Sequence, residues 1–545
     1  MTTQSPADAQ RAAVRATVFT HLAGVVMAPT VSALWERGAL DVLTDAPGPM
    51  AFDDIVRRTH ANAGYLRVAL RLLASCGWLV EAPGGEADTC ALTPAGREAL
   101  TVARPLYGQV TASFLPKALV LDDVLAGPPD GSLIGSIGAL VSQARHGWGI
   151  APSADPPTAQ IHDRLRGHLE GVLVAPAMVA LARAGIFARL AEGPLDLRSI
   201  EAHGAAVGAL IDLVALPGWV ERTGSVVQVT AAGRHAVQIA SAYGVTVSYL
   251  PLFAVLPTLL FGNPRIPRVD ANGVETMVNR AMNVWGSGGA HITYFRKLDE
   301  IVVDLFNRPL AEQPRGICDM GCGDGTLLAH LYAVVTERTR RGRALDSHPL
   351  IVVGADFNRV ARRATRQTLH AARIPAFHVI AGDINRPAQL ASDLEAIDLD
   401  IHDLMHTRSF LDHNRPYVRL SGYASGSRRP STTGAFAYLG EEIPADELEE
   451  NLVRHLRRWK PYVGRFGLLV LELHTLPPAV TAAHLDRTPA VAYDATHGFS
   501  DQYLVELPVF EACAAEAGLR ADPRWQATFP PSELATVSLN YFTAT

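Results

Sequence analysis

The chain has 545 residues, which is more than a single hydrophobic core usually supports, so we expect about two to four domains. Its 48% hydrophobic and 19% charged residues are ordinary for a well-buried protein and exclude global disorder. The net charge of −6 gives no general attraction to nucleic acid, which binds clustered Lys and Arg. Nucleic acid is therefore disfavoured as a partner.

An internal repeat comes first along the chain, because residues 21–43 match residues 168–190 and later landmarks recur in the same order. Three stretches carry the match: HLAGV at 21–25 with HLEGV at 168–172, GWLVE at 77–81 with GWVE at 218–221, and TPAGR at 93–97 with TAAGR at 230–234. A duplication of one unit explains this pattern. We predict one copy over 1–125 and the other over 161–245, joined by a Pro/Gly-rich linker over 126–160.

Each copy has the pattern of amphipathic helices, a Gly-Trp turn into a short strand, a second strand and a further helix, which is the order of a winged helix. This unit resembles the N-terminal module of small-molecule O-methyltransferases, which implies a homodimer formed through these units. The alternative is DNA binding. The helix before the turn carries Arg67 and Arg71 in the first copy, but residues 205–216 of the second contain no basic residue, which disfavours phosphate contacts.

Residues 246–307 are predicted to be a helical connector or cap. The apolar run at 245–261 approaches the length of a membrane span, but Pro251 and Pro257 interrupt it and no second such run exists, so we predict a buried helix pair and no membrane. Five dispersed cysteines suit a reducing cytosol, and the polar first ten residues carry no secretion signal. We therefore expect a cytoplasmic protein.

A glycine-rich loop opens the last predicted domain, residues 308–545. The buried-strand run at 316–320 leads into this loop, DMGCGDG at 319–325, and a helix follows. The glycines permit a tight turn and allow backbone N–H groups to approach a ligand closely. Asp319 at the strand end suits an ammonium group or hydroxyls rather than a pyrophosphate. An NAD site, the alternative, would call for a third phosphate-binding glycine and no acidic residue here.

Two further predicted strands also end in acidic residues. The second ends in Asp356, placed for ribose hydroxyls, and the third is followed by Asp383. The three strand ends resemble the first three motifs of class I methyltransferases. The resemblance implies S-adenosylmethionine as the cofactor and a Rossmann-like α/β domain with a mostly parallel seven-stranded sheet. The implied cofactor-binding residues are Asp319, Gly321, Gly323, Gly325, Asp356 and Asp383.

The chemistry is expected just beyond the predicted fourth strand, 399–403, because reacting groups in open α/β sheets lie outside the carboxyl ends of the strands. His406 is the candidate general base, since imidazole titrates near neutrality. Arg408 either binds a substrate carboxylate or anchors its segment. His474, which follows the fifth strand, completes the catalytic candidates, and His402 is interpreted as a core histidine. Residues 418–465 are predicted to be a lid insertion.

Two segments, HTRSFLDHNR at 406–415 and HGFSDQY at 497–503, resemble the C-methyltransferases of polyketide synthase loading regions, of which the apratoxin synthase is the type. The resemblance implies methylation of an activated malonyl-type carbon, assisted by a mononuclear iron or manganese. Imidazole, carboxylate and amide oxygen suit these metals, which polarise an enolate oxygen. The metal ligands are then expected among Asp412, His413 and Gln502. Alternatively, Asp412 pairs with Arg415 as a structural bridge.

The sequence therefore predicts a methyltransferase of specialised-metabolite biosynthesis that acts on a small-molecule or carrier-bound acyl substrate. Three alternatives remain open. The first is O-methylation of a small molecule, the second is a non-methylating reaction such as cyclisation on the same fold, and the third is a cofactor-sensing regulator that binds DNA through its winged helices.

Overall fold

The computed structural model describes residues 5–82, 88–126, 131–200, 203–270, 275–423 and 431–544. The chain forms two compact units, and each of them is built from three separate segments of the sequence. The first unit comprises Met1–Ala290, Ala437–Glu442 and Pro477–Ser500, and the second comprises His291–Phe436, Ile443–Leu476 and Asp501–Thr545. The stretch predicted as one contiguous domain, 308–545, thus contributes two short segments to the first unit.

The first winged-helix copy is built on a long, mostly buried helix. This helix begins after Ser5, whose side chain accepts a hydrogen bond from the backbone N–H of Asp8, as in an N-cap. The elements of this copy are α1 Pro6–Glu36, α2 Ala39–Thr44, β1 Met50–Ala51, α3 Phe52–Thr59, α4 Ala63–Ser75, β2 Leu79–Ala82, β3 Thr89–Leu92 and α5 Pro94–Ala118. Two helices follow, α6 Leu121–Ala126 and α7 Gly131–Arg145. Residues 127–130 of the predicted linker lie outside the described residues.

The second copy repeats the first in the same order. Its elements are α8 Pro156–Arg183, α9 Ile186–Glu192, β4 Leu195–Asp196, α10 Gly204–Val214, β5 Val220–Thr223, β6 Val226–Val229 and α11 Ala231–Gln238. Both copies hold a three-stranded sheet with equivalent strand order, β1-β3-β2 and β4-β6-β5. Equivalent threonines cap the helix after the wing, since Thr93 accepts from the N–H of Gly96 and Thr230 from that of Gly233. The predicted duplication is confirmed.

The apolar run at 245–261 folds as three short helices rather than the predicted pair, because Pro251 and Pro257 each lie in the first turn of a new helix. These helices and the next are α12 Gly244–Ser248, α13 Leu250–Ala254, α14 Leu256–Phe261 and α15 Arg280–Phe306. Among the described residues, α1 and α8 are the helices long and apolar enough to cross a membrane, but 83% and 78% of their apolar windows are buried within the protein. They are therefore interpreted as core helices.

The second unit is an α/β fold around one sheet. The remaining elements in chain order are β7 Gly316–Met320, α16 Thr326–Arg338, β8 Ile351–Asp356, α17 Arg359–Ala371, β9 Phe377–Ala381, α18 Pro387–Glu395, β10 Leu404–Ser409, β11 Ala437–Tyr438, β12 Glu441–Glu442, α19 Ala445–Trp459, β13 Leu468–Leu473, α20 Pro478–Ala483, α21 Ala490–Gly498, α22 Leu507–Glu516, β14 Leu519–Ala521, β15 Ala527–Phe529 and β16 Val537–Ala544. Of these, β11, β12, α20 and α21 lie in the first unit.

The sheet has the order β14-β16-β13-β10-β7-β8-β9, and β15 pairs with β16 as an eighth strand. The five strands from β13 to β9 are parallel, while β16 is antiparallel to β13. The carboxyl ends of the five parallel strands therefore meet at one edge, where α/β proteins bind their ligands. This mostly parallel sheet confirms the predicted fold class.

Further predicted boundaries differ from the structure, since the linker predicted over 126–160 contains α7 and the first residues of α8. Residues 401–403 form a 3-10 helix, and the fourth parallel strand, β10, begins only at Leu404. The region predicted as a lid contains α19, whose residues Leu448, Leu452 and Trp459 belong to the hydrophobic core of the second unit. Helix α19 is thus a packed crossover between β10 and β13. Residues 424–430 of the same insertion lie outside the described residues.

Candidate cofactor and active site

The glycine-rich loop after β7 depends on three residues with left-handed backbone. Gly321, Gly323 and Gly325 have φ of 78°, 55° and 82°, a region that side chains disfavour. A Cβ on Gly321 would also lie 2.9 Å from the Cδ2 atom of Leu411. The loop therefore packs directly against the segment that follows β10, so a ligand in the loop and the residues beyond β10 share one edge of the sheet.

The first two strand-end carboxylates flank this loop. Asp356 accepts hydrogen bonds from the backbone N–H of Gly323 at 3.1 Å and of Asn358 at 2.7 Å, and so holds the loop in place. Asp319 is buried and accepts a hydrogen bond from the hydroxyl of Thr407 at 2.8 Å. Burial, and to a smaller extent the nearby Asp356 carboxylate, raises the pKa of Asp319 to about 7, although the bond from Thr407 lowers it. A cationic ligand beside Asp319 would favour its ionised form.

The third strand end and an exposed aromatic side chain complete this edge. Asp383 accepts a hydrogen bond from the N–H of Asn385 at 2.9 Å, just beyond β9. Phe357 and Val360, which follow β8 and are 82% and 74% exposed, were not among the residues predicted from the sequence. These two exposed apolar groups lie in sequence directly after the strand-end carboxylate Asp356, which makes them candidates for contact with a bound ligand. An apolar residue directly after Asp356 is the sequence signal that could have identified this surface.

Arg408 and Asp412 form a buried ion pair at the end of β10. The Nη1 atom of Arg408 donates to Oδ1 of Asp412 at 2.6 Å, and the guanidinium lies 4.1 Å from the ring centre of Trp459. The Nε2 atom of His455 lies 2.9 Å from the same carboxylate oxygen. Burial raises the pKa of Asp412, but the Arg408 charge and His455 outweigh it and hold this pKa below its usual range. Of the two roles predicted for Arg408, this geometry favours anchoring.

The alternative pairing of Asp412 with Arg415 takes a different form from the one predicted. Arg415 donates through Nη1 to the backbone carbonyl of Asp412 at 2.9 Å and through Nε to Oδ1 of Asn451 at 3.0 Å. Its guanidinium therefore fixes the backbone of the segment after β10 rather than neutralising the Asp412 carboxylate.

Glu472 at the end of β13 holds His413. Its Oε1 atom is hydrogen-bonded to Nδ1 of His413, while Oε2 accepts from the backbone N–H of Asp412 at 2.7 Å and of His413 at 3.3 Å. Both side chains are buried, with 1% and 6% of Glu472 and His413 exposed. A carboxylate at Nδ1 fixes the ring orientation and the tautomer of a histidine. The sequence showed Glu472 only as the end of a strand, because its partner lies 59 positions away.

The other candidate histidines, His406 and His474, are buried and lie within hydrogen-bond distance of other groups of the protein. The Nε2 atom of His406 lies 3.0 Å from the carbonyl oxygen of Ile401, which precedes β10, and burial lowers the pKa of His406 to about 4. The Nε2 atom of His474 lies 2.8 Å from Oγ of Ser538, and burial lowers its pKa to about 4 as well. Both fit structural histidines better than general bases. His402, predicted in the core, is instead exposed.

Comparison with known proteins identifies the kind of enzyme. A family model described as the AprA MT2-like domain matches residues 275–540, and models of the AprA N-terminal domain and the AprA winged helix domain match residues 14–81 and 170–263. The chain is an S-adenosylmethionine-dependent methyltransferase with an AprA MT2-like domain. No curated protein sequence matches it.

Solved structures similar to this methyltransferase include enzymes that act on different atoms. The mitomycin 7-O-methyltransferase MmcR is 14% identical, with 71% of this chain and 98% of that chain covered and a TM-score of 0.41. Human N-acetylserotonin methyltransferase in complex with SAM is 14% identical, with 73% and 100% covered and a TM-score of 0.39. The CurJ carbon methyltransferase is 11% identical, with 81% and 99% covered and a TM-score of 0.30.

The metal ligands predicted for this methyltransferase, Asp412, His413 and Gln502, stay a prediction, since Oδ2 of Asp412 is buried without a hydrogen-bond partner while its other carboxylate oxygen is paired. The Asp412 carboxylate already pairs with Arg408 and His455, so a metal cation there would meet an existing positive charge. In the described part of the chain, no three His, Cys, Asp or Glu side chains are grouped so that they could hold an ion. The existing pairing of Asp412 thus disfavours iron or manganese at this carboxylate, and the chemistry is derived from the protein's own side chains.

Proposed function

We propose that this methyltransferase transfers the sulfonium methyl group of S-adenosylmethionine to a carbon next to a carbonyl, with His413 as the general base and Glu472 as the residue that positions it. The observation that carries the proposal is the buried Glu472–His413 pair at the carboxyl edge of the sheet. The segment after β10 that carries His413 also contains Leu411, which packs against the cofactor loop at Gly321. The resemblance of residues 406–415 to carbon methyltransferases supports carbon as the acceptor.

The proposed step uses only groups on this edge. With Nδ1–H donated to Glu472, Nε2 of His413 carries the lone pair and removes the proton from the acidic carbon. The electron pair left on that carbon forms the new C–C bond to the methyl group. The S–C bond breaks with its electrons on sulfur, which gives neutral S-adenosylhomocysteine. Alignment of the carbon with the sulfonium supplies most of the acceleration in such a displacement.

The cofactor itself is assigned to the residues around the glycine loop. In this proposal Asp319 meets the cofactor's ammonium group, Asp356 accepts from its ribose hydroxyls, and Asp383 lies near the adenine amine. The exposed ring of Phe357 supplies an apolar face for the adenine. The positive-φ glycines, foremost Gly321, allow the backbone to approach the cofactor.

The reaction is tested with S-adenosylmethionine labelled with ¹³C at the methyl group. The purified protein is incubated with malonyl, methylmalonyl and β-ketoacyl thioesters of pantetheine and, in parallel, with phenols. We expect S-adenosylhomocysteine and a thioester product whose labelled methyl has the NMR shift of a carbon-bound group. A methoxy signal from the phenols would replace carbon transfer by O-methylation, and a product with unchanged carbon number would refute methyl transfer.

The base is tested by proton exchange in D₂O, which does not depend on methyl transfer. We expect His413→Ala to slow both exchange at the acidic carbon and methylation by roughly 10²–10⁴-fold, the usual contribution of a general base. Glu472→Gln should slow both steps less and change their pH profile. His402→Ala, which alters an exposed histidine on the same domain, is the matched control. Binding of S-adenosylhomocysteine, measured by calorimetry, should be unaffected in all three variants; exchange at the wild-type rate in His413→Ala would exclude the base assignment.

A further inference from the structure

The two winged-helix copies contact each other reciprocally at the crossing of α1 and α8. A Cβ on Gly24 would collide with the backbone of His168, and a Cβ on Gly171 would collide with the backbone of His21. In the repeat, Gly24 is equivalent to Gly171 and His21 to His168. Each contact is thus the counterpart of the other with the copies exchanged, as at an interface between two subunits related by a two-fold axis.

Buried hydrogen bonds show the same reciprocity. The Nδ1 atom of His21 in the first copy lies 2.7 Å from the hydroxyl of Tyr243, which follows α11 of the second copy. The Nδ1 atom of His168 in the second copy lies 2.6 Å from the hydroxyl of Tyr107, on α5 of the first copy. All four side chains are buried. Each copy thus encloses a histidine of the other.

The aromatic surroundings of the two histidines are exchanged in the same way. The ring of Trp219 lies 5.6 Å from that of His21, and the ring of Trp78 lies 6.3 Å from that of His168. These tryptophans are equivalent positions of the Gly-Trp turn in the two copies. The interface therefore extends from the helix crossing to both wings.

One position breaks the symmetry. The Nε2 atom of His21 lies 3.0 Å from the carboxylate of Glu170, whereas the residue equivalent to Glu170 in the first copy is Ala23. His168 therefore has no carboxylate at the equivalent position. The two copies therefore differ at this contact, and the Glu170 carboxylate of the second copy lies against the His21 ring of the first.

We infer that the two winged-helix copies pair with each other within one chain and that this pairing occupies the face through which an unduplicated unit would pair with a second chain. The pairing of two units that the winged-helix resemblance implies thus takes place within a single chain. One S-adenosylmethionine domain accompanies two paired units, and a second copy of this chain cannot dock on the α1–α8 face.

The test uses the full-length protein and three glycine variants. Gly24→Ala and Gly171→Ala insert a methyl group into the helix crossing and should lower the unfolding temperature by roughly 2–10 °C. Gly138 lies on α7, and a Cβ there would meet no other atom within 4 Å. Gly138→Ala is therefore the matched control and should leave the unfolding temperature unchanged. Tyr107→Phe and Tyr243→Phe are milder variants that each remove one buried hydroxyl and should each reduce stability. None of these shifts should depend on protein concentration.

Light scattering then distinguishes internal pairing from pairing between chains. A wild-type mass of 58.3 kDa supports the inference, as does a dimer whose mass Gly24→Ala leaves unchanged. A dimer that Gly24→Ala dissociates into monomers would overturn it. Equal stability of Gly24→Ala, Gly171→Ala and Gly138→Ala would overturn it as well.

Discussion

Asp319, which we assign to cofactor binding, is expected to destabilise the cofactor-free protein when it is ionised. Burial raises its pKa to about 7, whereas the pKa of an aspartate in the unfolded chain is about 4. Between these values the folded state binds a proton that the unfolded state does not, so the contribution of Asp319 to stability falls as the pH rises through this window. Above about pH 7 the folded protein bears the full cost of a buried, ionised carboxylate.

Asp319→Asn should therefore stabilise the cofactor-free protein at pH 8, by roughly 1–3 kcal/mol, and should change little at pH 4. The same variant should lose affinity for S-adenosylmethionine, because an amide does not attract the cofactor's ammonium group. Urea unfolding at both pH values and calorimetry with the cofactor measure the two effects. Equal free energies of unfolding for the variant and the wild type at pH 8 would show that an ionised Asp319 does not destabilise the folded protein.

Phe357 should contribute to affinity without contributing to stability, because its side chain is 82% exposed in the cofactor-free structure. We expect Phe357→Ala to weaken binding of S-adenosylhomocysteine by about tenfold, the range of one aromatic contact. Phe357→Tyr keeps the ring and should bind nearly as the wild type does. Titration calorimetry measures both constants, and unchanged binding by Phe357→Ala would place the adenine elsewhere.

At the scale of elements, β10 shows which features local sequence can reveal. The glycine loop at 319–325 was predictable because its chemistry lies within one short stretch. The strand itself was predicted too early, since His406, Thr407 and Arg408 look like exposed polar residues. The structure buries all three, because their partners come from elsewhere: Thr407 donates to Asp319 on β7, and Arg408 stacks on Trp459 of α19. Such partners, like Glu472 for His413, are not visible in a local pattern.

The ion pair between β10 and its following turn should be costly to break. Asp412→Ala leaves the guanidinium of Arg408 buried without its carboxylate, and we expect a loss of about 3–5 kcal/mol in the free energy of unfolding. Asp403→Ala, which removes the partner of the largely exposed Arg465, should cost less than about 1 kcal/mol. Urea unfolding followed by circular dichroism compares the two. Similar losses would mean that the buried pair has no special role.

At the scale of the whole molecule, the ion pairs of α4 bear on the DNA-binding alternative. Arg67 pairs with Glu442 at 2.8 Å and Arg71 with Asp494 at 3.0 Å, so the cations of this helix are neutralised within the first unit. We expect no gel shift of duplex DNA even at about 50 mM salt, where phosphate binding is strong. Arg71→Ala should not alter this result. A retarded band that weakens with added salt would support the regulator alternative.

The division into units also shows the limit of sequence-based boundaries. The repeat located both winged-helix copies, because equivalent residues recur at fixed spacing. The two later segments of the first unit could not be located, since Ala437–Glu442 and Pro477–Ser500 are recognised only through their contacts with distant helices, chiefly α4 and α1. Gly498, for example, is required there because a Cβ would lie 2.8 Å from the side chain of Val68.

Helix α4 has a consequence for biosynthesis on the ribosome. Residues up to Ala290 are made before the later segments of the first unit, so Arg71 lacks its Asp494 partner and the side chain of Val68 lacks Gly498 until Pro477–Ser500 has been synthesised. Multidomain chains usually complete their N-terminal domain early during translation. Here the first unit cannot be completed before residue 500, so we expect a nascent chain halted earlier to leave the face of α4 that carries Val68 and Arg71 without these partners.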